Sequence, residues 1–394
     1  MKNNKVERFY LREVITVALL HLLHDIFGSF LSPVLPLLID RFDLSYFQVS
    51  LLNIIRKLPS IFSLVIASFI NNIDRRYINY LIIVAPMTMI ILMSLLGVLS
   101  SYMMLLFLLF ITGITSAIFH IFTPPIIKEL SGDKVGRGIS IYQLGGEAAR
   151  SLGPLVILSV ISVWGLEGSY RLISVGLVCA LFFYSKIKNI KLDNIFNKEE
   201  GEEDKSSLFS LIEGHFSFIL KIGIIRFFWS LIKISLTLFL PTYLKATKGV
   251  SLWLAGGALT IVQISGAIGT YLGGSISDKI GRSKMILISL ICTSIAMLGF
   301  TLSSGIYLFI FLVILGFFIY SINPVILTLV QEADSKPIVI INGFYKTISF
   351  ISTALATLII GQGADLYGLN TMYRIMPLLL LISIPVILKL ANKK

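Results

Sequence analysis

Twelve apolar runs follow one another along the chain, at roughly 14–39, 48–70, 79–99, 103–128, 138–162, 168–185, 215–241, 250–273, 285–303, 305–330, 338–361 and 371–389. Short turn or charge signals separate them. At about 1.5 Å per helical residue each run is long enough to cross a hydrocarbon core about 30 Å thick. The pattern predicts an all-α membrane protein with twelve transmembrane helices and both termini on one side. The one sizeable polar stretch is Lys186 to Ser210, whose acidic core Glu199-Glu200-Gly201-Glu202-Glu203-Asp204 lacks apolar periodicity. It reads as a solvated linker. The expected organisation is a six-helix half at 1–186, a cytoplasmic linker at 187–212 and a second six-helix half at 213–394.

Composition narrows the class. Of the 394 residues 56% are hydrophobic and 14% charged, against about 25% charged in an ordinary soluble domain. A water-soluble enzyme is thereby excluded, and no nucleotide-binding glycine loop or nucleophile arrangement points to a membrane-embedded one. Cys179 and Cys292 sit in apolar runs, so neither a disulfide framework nor a cysteine metal site is expected. The first run is too long for a signal-peptide core and lacks a small-residue cleavage site.

The net charge of +12 resolves into topology. Of 33 Lys and Arg, 21 fall on the side that holds both termini, 5 on the opposite side (Arg41, Arg171, Lys245, Lys248 and Arg374) and 7 within the runs. Positive loops favour the cytoplasm, so the termini and linker are expected there, in the inner cell membrane. No nucleic-acid partner is implied.

The halves repeat. Leu35-Pro36 recurs as Leu240-Pro241, and Ser68-x-x-x-Asn72-x-x-x-Arg76 as Gly274-x-x-x-Asp278-x-x-x-Arg282, at offsets of 205 and 206. The second copy extends to Gly274-Ser275-Ile276-Ser277-Asp278-Lys279-Ile280-Gly281-Arg282-Ser283-Lys284. This resembles the signature loop of the major facilitator superfamily, which implies a gating role for Gly274, Asp278, Gly281 and Arg282: close helix approach at glycine and an Asp that pairs with a cation. In the first copy Asn72 takes the acidic position and Asp74 is displaced. Gly153-Pro154 in the fifth run resembles the core of that superfamily's antiporter motif, with Ile157-Leu158 where paired glycines usually follow.

Nearly the whole chain resembles the fosmidomycin-resistance branch of bacterial drug exporters. His21-Leu22-Leu23-His24-Asp25, Ile118-Phe119-His120, Gly138 to Gly146 with Ser151-Leu152-Gly153-Pro154, Gly273 to Arg282 and Gln331-Glu332 carry the likeness. It implies the major facilitator fold and proton-driven efflux of a small, often anionic, compound.

The charges inside the runs locate the candidate chemistry. Seven cations lie there, Arg56, Lys57, Arg150, Lys221, Arg226, Lys233 and Lys346, against two clear acids, Asp25 and Glu147. A charge near the bilayer centre costs about 2.5–3.5 kcal/mol on insertion scales, so each must line a cavity, pair or snorkel. Arg56, Arg150, Arg226, Lys233 and Lys346 are candidate substrate ligands, because a surplus of midplane cations attracts an anion. For Lys57 and Lys221 snorkelling or structural pairing is the reading. Arg150 follows Glu147 by three residues, so an intrahelical ion pair is its first explanation.

Asp25 is the first candidate for proton coupling, with His21 one turn before it and His24 adjacent; Glu147 is the second. His120 offers a proton relay or a packing histidine. The four histidines are scattered over three runs, so no metal site is expected. The sequence thus predicts a monomeric, cofactor-free secondary transporter that exchanges a small organic anion for protons across the lipid bilayer. Uptake or exchange of an anionic nutrient without obligatory proton coupling is the alternative.

Overall fold

The computed structural model describes residues 9–62, 78–187, 208–331 and 338–391, and within them every regular element is helical. In chain order these are α1 (Leu11–Gly28), α2 (Leu31–Phe42), α3 (Tyr46–Lys57), α4 (Ile78–Ser94), α5 (Tyr102–Ser131), α6 (Val135–Trp164), α7 (Leu172–Ile187), α8 (Leu208–Ile234), α9 (Leu240–Lys248), α10 (Leu252–Ile280), α11 (Arg282–Leu302), α12 (Ile306–Gln331), α13 (Ile338–Tyr367), α14 (Leu369–Leu381) and α15 (Ile384–Ala391). Ten helical stretches among the described residues are long and apolar enough to cross a bilayer. One of them, Tyr102–Trp164, spans 63 residues and holds both α5 and α6, so eleven of the twelve expected runs are accounted for. The run at 48–70 is described only to Phe62, and the first-half loop with Ser68, Asn72 and Arg76 lies outside the described residues.

Helix breaks fall where the sequence places helix-disrupting chemistry. α1 and α2 form one crossing interrupted at Ser29 and Phe30, with Pro36 inside α2. The corresponding Pro241 stands in the first turn of α9, directly after a π turn at Ser235–Phe239. Proline lacks an N–H and its ring clashes with the carbonyl four residues back, and a π turn re-routes the bonds it would break. Serine hydroxyls start two crossings, Ser101 accepting from the Met104 N–H of α5 and Ser251 from the Leu254 N–H of α10. Large apolar side chains such as Met103, Phe107, Val178 and Ile295 lie exposed, as lipid contact requires.

The chain divides into two compact units. The first holds Met1–Leu38 and Leu52–Glu199, the second Ile39–Leu51 and Glu200–Lys394. In the first unit α6 presents a small-residue face to α1. A Cβ at Gly145 would meet the Ala18 carbonyl oxygen at 2.4 Å, and one at Gly153 the Ser29 hydroxyl at 1.7 Å, so the two backbones touch. This contact fixes the register of α6 against the face that carries Asp25.

In the second unit α10 lies as closely on α12. Gly266, Gly269 and Gly273 share one face, and a Cβ on Gly269 would stand 2.0 Å from the Phe317 carbonyl oxygen. The segment Ile39–Leu51 is held within this unit by Asp365, whose carboxylate accepts the N–H groups of Tyr46 at 2.7 Å and Phe47 at 2.9 Å, satisfying the orphan donors that open α3. Ser50 donates to the Thr357 carbonyl at 2.7 Å, and Lys245 pairs with Asp40 at 2.6 Å.

The signature loop joins α10 to α11 through Gly281, whose φ of +96° lies in the region that favours glycine. Asp278 pairs with Arg282 of the same loop, and Arg282 also donates to the Ser277 hydroxyl at 2.5 Å. The close-packing role expected of Gly274 falls one residue earlier. Nothing described lies within 4 Å of a Cβ at Gly274, whereas Gly273 faces Ser321 at 2.6 Å. Gly269→Ala is therefore expected to destabilise the protein by about 1–3 kcal/mol through forced separation of α10 and α12, while Gly274→Ala stays near neutral. Thermal unfolding of the two variants in detergent checks this.

Candidate functional site

Two polar clusters interrupt the apolar interior, one in each unit. In the first, α1 places His21 and Asp25 one turn apart on one face, and the α1–α6 contact brings that face against Tyr142, Gly146, Glu147 and Arg150. Around the Asp25 carboxylate stand His24 Nδ1 at 2.8 Å, His21 Nε2 at 3.2 Å, His120 Nε2 of α5 at 3.4 Å and Arg150 Nη1 at 3.7 Å. Arg150 also binds Glu147 at 2.5 Å, one turn earlier on α6. The rings of His21 and Tyr142 stack at 4.0 Å, those of His24 and Phe119 at 4.4 Å.

His21 and His24 are 4% and 1% exposed, but the side chains of His120 and Arg150 keep 41% of their surface accessible. The cluster thus has a closed floor and one open side. A carboxylate with three imidazoles and a guanidinium in reach can gain, lose and pass protons. Of the sequence-designated coupling residues, Asp25, Glu147, His24 and His120 all stand here. Arg150, a candidate substrate ligand, stands here too, tied to the two acids.

Arg56 reaches the same unit by a different route. Its guanidinium donates to the Gly28 carbonyl, at the C-terminal end of α1. A cation there complements the negative end of the helix dipole and satisfies an orphan carbonyl. This makes Arg56 a cap that holds α1 three residues beyond Asp25. Lys57 is exposed.

The second cluster is built on α8. Arg226 and Lys233, seven residues apart, flank Trp229, with Arg226 Cζ 4.3 Å and Lys233 Nζ 4.6 Å from the indole centroid. The Trp229 N–H donates to the Ile319 carbonyl of α12 at 2.7 Å, which fixes the ring. Arg226 donates to Asn323 at 2.9 Å and lies 5.2 Å from the Tyr345 ring of α13. Lys233 lies 4.7 Å from the Tyr320 ring, whose hydroxyl donates to Gln263 at 2.8 Å.

Arg226 is only 7% exposed. Among the described residues no carboxylate pairs with it, and the Arg226 Nε is buried without a hydrogen-bond partner. Aromatic faces stabilise a cation by about 0.5–2 kcal/mol, well short of the several kcal/mol that burial of an ion costs. The side chain of Lys346, on α13, lies outside the described residues.

Trp229, Asn323, Tyr320, Tyr345 and Tyr142 were not singled out by sequence. Tyr142 lies within the quoted Gly138–Gly146 segment, and Asn323 is a lone amide before Pro324 in an apolar run. Three of the four histidines, expected to be scattered, are gathered by helix packing around Asp25.

A family model described as Major Facilitator Superfamily matches residues 17–357. The Escherichia coli (strain K12) protein named fosmidomycin resistance protein is 25% identical over 374 residues, covering 93% of this chain and 91% of its own. Among solved structures, a bacterial homolog of the human lysosomal transporter Spinster, inward-facing and unoccupied, gives a TM-score of 0.77 at 16% identity over 98% of each chain. A D-xylose–proton symporter gives 0.74 at 18% identity over 96% of this chain and 98% of its own. At these identities the structural likenesses show the fold.

The helix-capping role of Arg56 has its own signature. Arg56→Met should cost about 0.5–2 kcal/mol of stability and leave anion affinity within about twofold of the parent protein. Thermal unfolding and ligand titration on one preparation separate this outcome from a direct substrate contact.

Proposed function

Because this chain belongs to the major facilitator superfamily and is a multi-pass membrane transporter, we propose that it moves a small organic anion held by Arg226 out of the cell in exchange for protons taken up at Asp25. The observation that carries the reading is the buried Arg226, whose Nε has no hydrogen-bond partner and which has no carboxylate beside it among the described residues. A carboxylate or phosphonate oxygen would accept from this nitrogen, and Lys233 would add a second positive charge over Trp229. The relative named for fosmidomycin resistance supports the outward direction.

Coupling follows from the first cluster. An ionised Asp25 attracts Arg150 and the imidazoles; a protonated one releases Arg150 to Glu147 alone. The exposed sides of His120 and Arg150 give this exchange a route to water. Proton arrival thereby becomes a change in which side chains are tied together, the requirement for a two-state element. The halves 1–186 and 213–394 would then rock about the linker at 187–212, with both termini cytoplasmic, and expose the substrate alternately. Asp278 and Arg282 would restrain that motion at the signature loop.

In proteoliposomes Arg226→Ala should weaken apparent affinity for carboxylate or phosphonate compounds by about 10- to 150-fold, the worth of a charge-assisted hydrogen bond, and Arg226→Lys should recover part of it. Unchanged affinity in Arg226→Ala would remove this pocket as the anion site. Asp25→Asn should abolish stimulation by an imposed pH gradient while anion binding persists. Gradient-driven transport that survives in Asp25→Asn would remove the coupling assignment.

A further inference from the structure

With neutral imidazoles, the hydrogen bonds around Asp25 leave two ring lone pairs directed at a carboxylate, an arrangement that a proton or a metal ion would complete. His21 Nδ1 lies 2.9 Å from the Tyr142 backbone carbonyl, which only accepts, so Nδ1 carries the hydrogen and Nε2 of the neutral ring is a bare lone pair. That lone pair faces Asp25 Oδ2 at 3.2 Å and makes no hydrogen bond.

His120 is fixed in the same sense by a longer chain. Thr123 donates its single proton to the Phe119 carbonyl at 2.8 Å, so at the 2.6 Å contact between Thr123 and Tyr142 the phenol donates. With its proton used, the Tyr142 oxygen accepts from His120 Nδ1 at 3.4 Å. His120 Nε2 is then also a bare lone pair, 3.4 Å from Asp25 Oδ1. Two imidazole lone pairs and a carboxylate thus converge, with Arg150 Nη1 3.7 Å from Oδ2 and His24 Nδ1 2.8 Å from Oδ1 at the edge of the group.

We propose that His21, Asp25 and His120 form a three-ligand site for a divalent transition-metal ion of the zinc class. The three donor atoms lie within 4.8 Å of one another. Tetrahedral zinc with bonds of about 2.0–2.1 Å needs donors roughly 3.3 Å apart. His21 Nε2 lies 3.2 Å from Asp25 Oδ2 and His120 Nε2 3.4 Å from Asp25 Oδ1, so each nitrogen stands at that spacing from one of the two carboxylate oxygens. Each ligating imidazole already directs its other N–H to an oxygen, the outer-shell arrangement that orients metal-binding histidines. Imidazole donors select transition metals over Mg2+. Arg150 is the cation that faces the site, and its salt bridge to Glu147, whose Oε2 is buried and unpartnered, offsets its charge.

The inference deepens the coupling assignment and rests on it in one respect, that metal and protons occupy the same lone pairs, so Zn2+ acts as an inhibitor of gradient-driven transport. The test uses the full-length, tag-free protein in detergent, stripped with chelator and titrated calorimetrically with zinc chloride, with magnesium chloride as control. One Zn2+ per chain is expected, weakened about 10- to 100-fold in His120→Ala, whose exposed side chain makes loss of fold avoidable, and in Asp25→Asn. Cobalt chloride should give the visible absorption of a tetrahedral site in the parent protein and lose it in His120→Ala. No saturable Zn2+ binding, or binding unchanged in both variants, overturns the proposal. If Zn2+ binding fails while gradient-driven transport persists in the same preparation, the coupling assignment stands alone. Zn2+ binding with transport indifferent to the gradient keeps the metal site and removes the coupling.

Discussion

An ion in hydrocarbon must find compensation, and each of the two units meets that constraint differently. Around Asp25 in the first unit stand three imidazoles and a guanidinium within 3.7 Å, the last shared with Glu147. Arg226 in the second has one amide oxygen and two aromatic faces, with no carboxylate among the described residues. An acid ringed by titratable nitrogens suits a site that exchanges small cations. An incompletely compensated base suits one that waits for an anion. The two proposed roles, proton exchange at Asp25 and anion binding at Arg226, rest on this difference in electrostatic surroundings.

Backbone proximity makes both clusters possible. Gly145, Gly146 and Gly153 let α6 touch α1, so a residue three positions along α6 reaches the carboxylate of α1. A larger residue at Gly146 would collide with His21 at 2.6 Å and displace the imidazole that stacks on Tyr142. In the second unit the α10–α12 glycine contact brings Gln263 to Tyr320, beside Lys233. Small residues serve the chemistry by distance, without taking part in it.

Much of the fold was legible because membrane helices advertise themselves. Unbroken apolar runs, the Leu-Pro repeat and the loop from Gly274 to Lys284 were sufficient for the helix count and the family, and residues 17–357 match that family. Asp25 and Arg226 stood out because a charge in such a run is costly. What stayed hidden was lateral placement. Periodicity shows which residues share a face of one helix, as His21 and Asp25 do, but not which helix lies opposite. The convergence of His120 and Tyr142 on Asp25, and of Asn323 and Tyr345 on Arg226, depends on helix pairing. The contact of Arg56 with the end of α1 depends on helix pairing in the same way.

The account stands most directly on whether an anion occupies the surroundings of Arg226. Trp229 reports on that place, since its ring lies 4.3 Å from the guanidinium carbon. With Trp164 and Trp253 replaced by Phe, the fluorescence of Trp229 should change saturably as a carboxylate or phosphonate compound is titrated in, and Arg226→Ala should abolish the change. A Trp229 signal indifferent to every such anion, or a response equally strong in Arg226→Ala, would contradict the account.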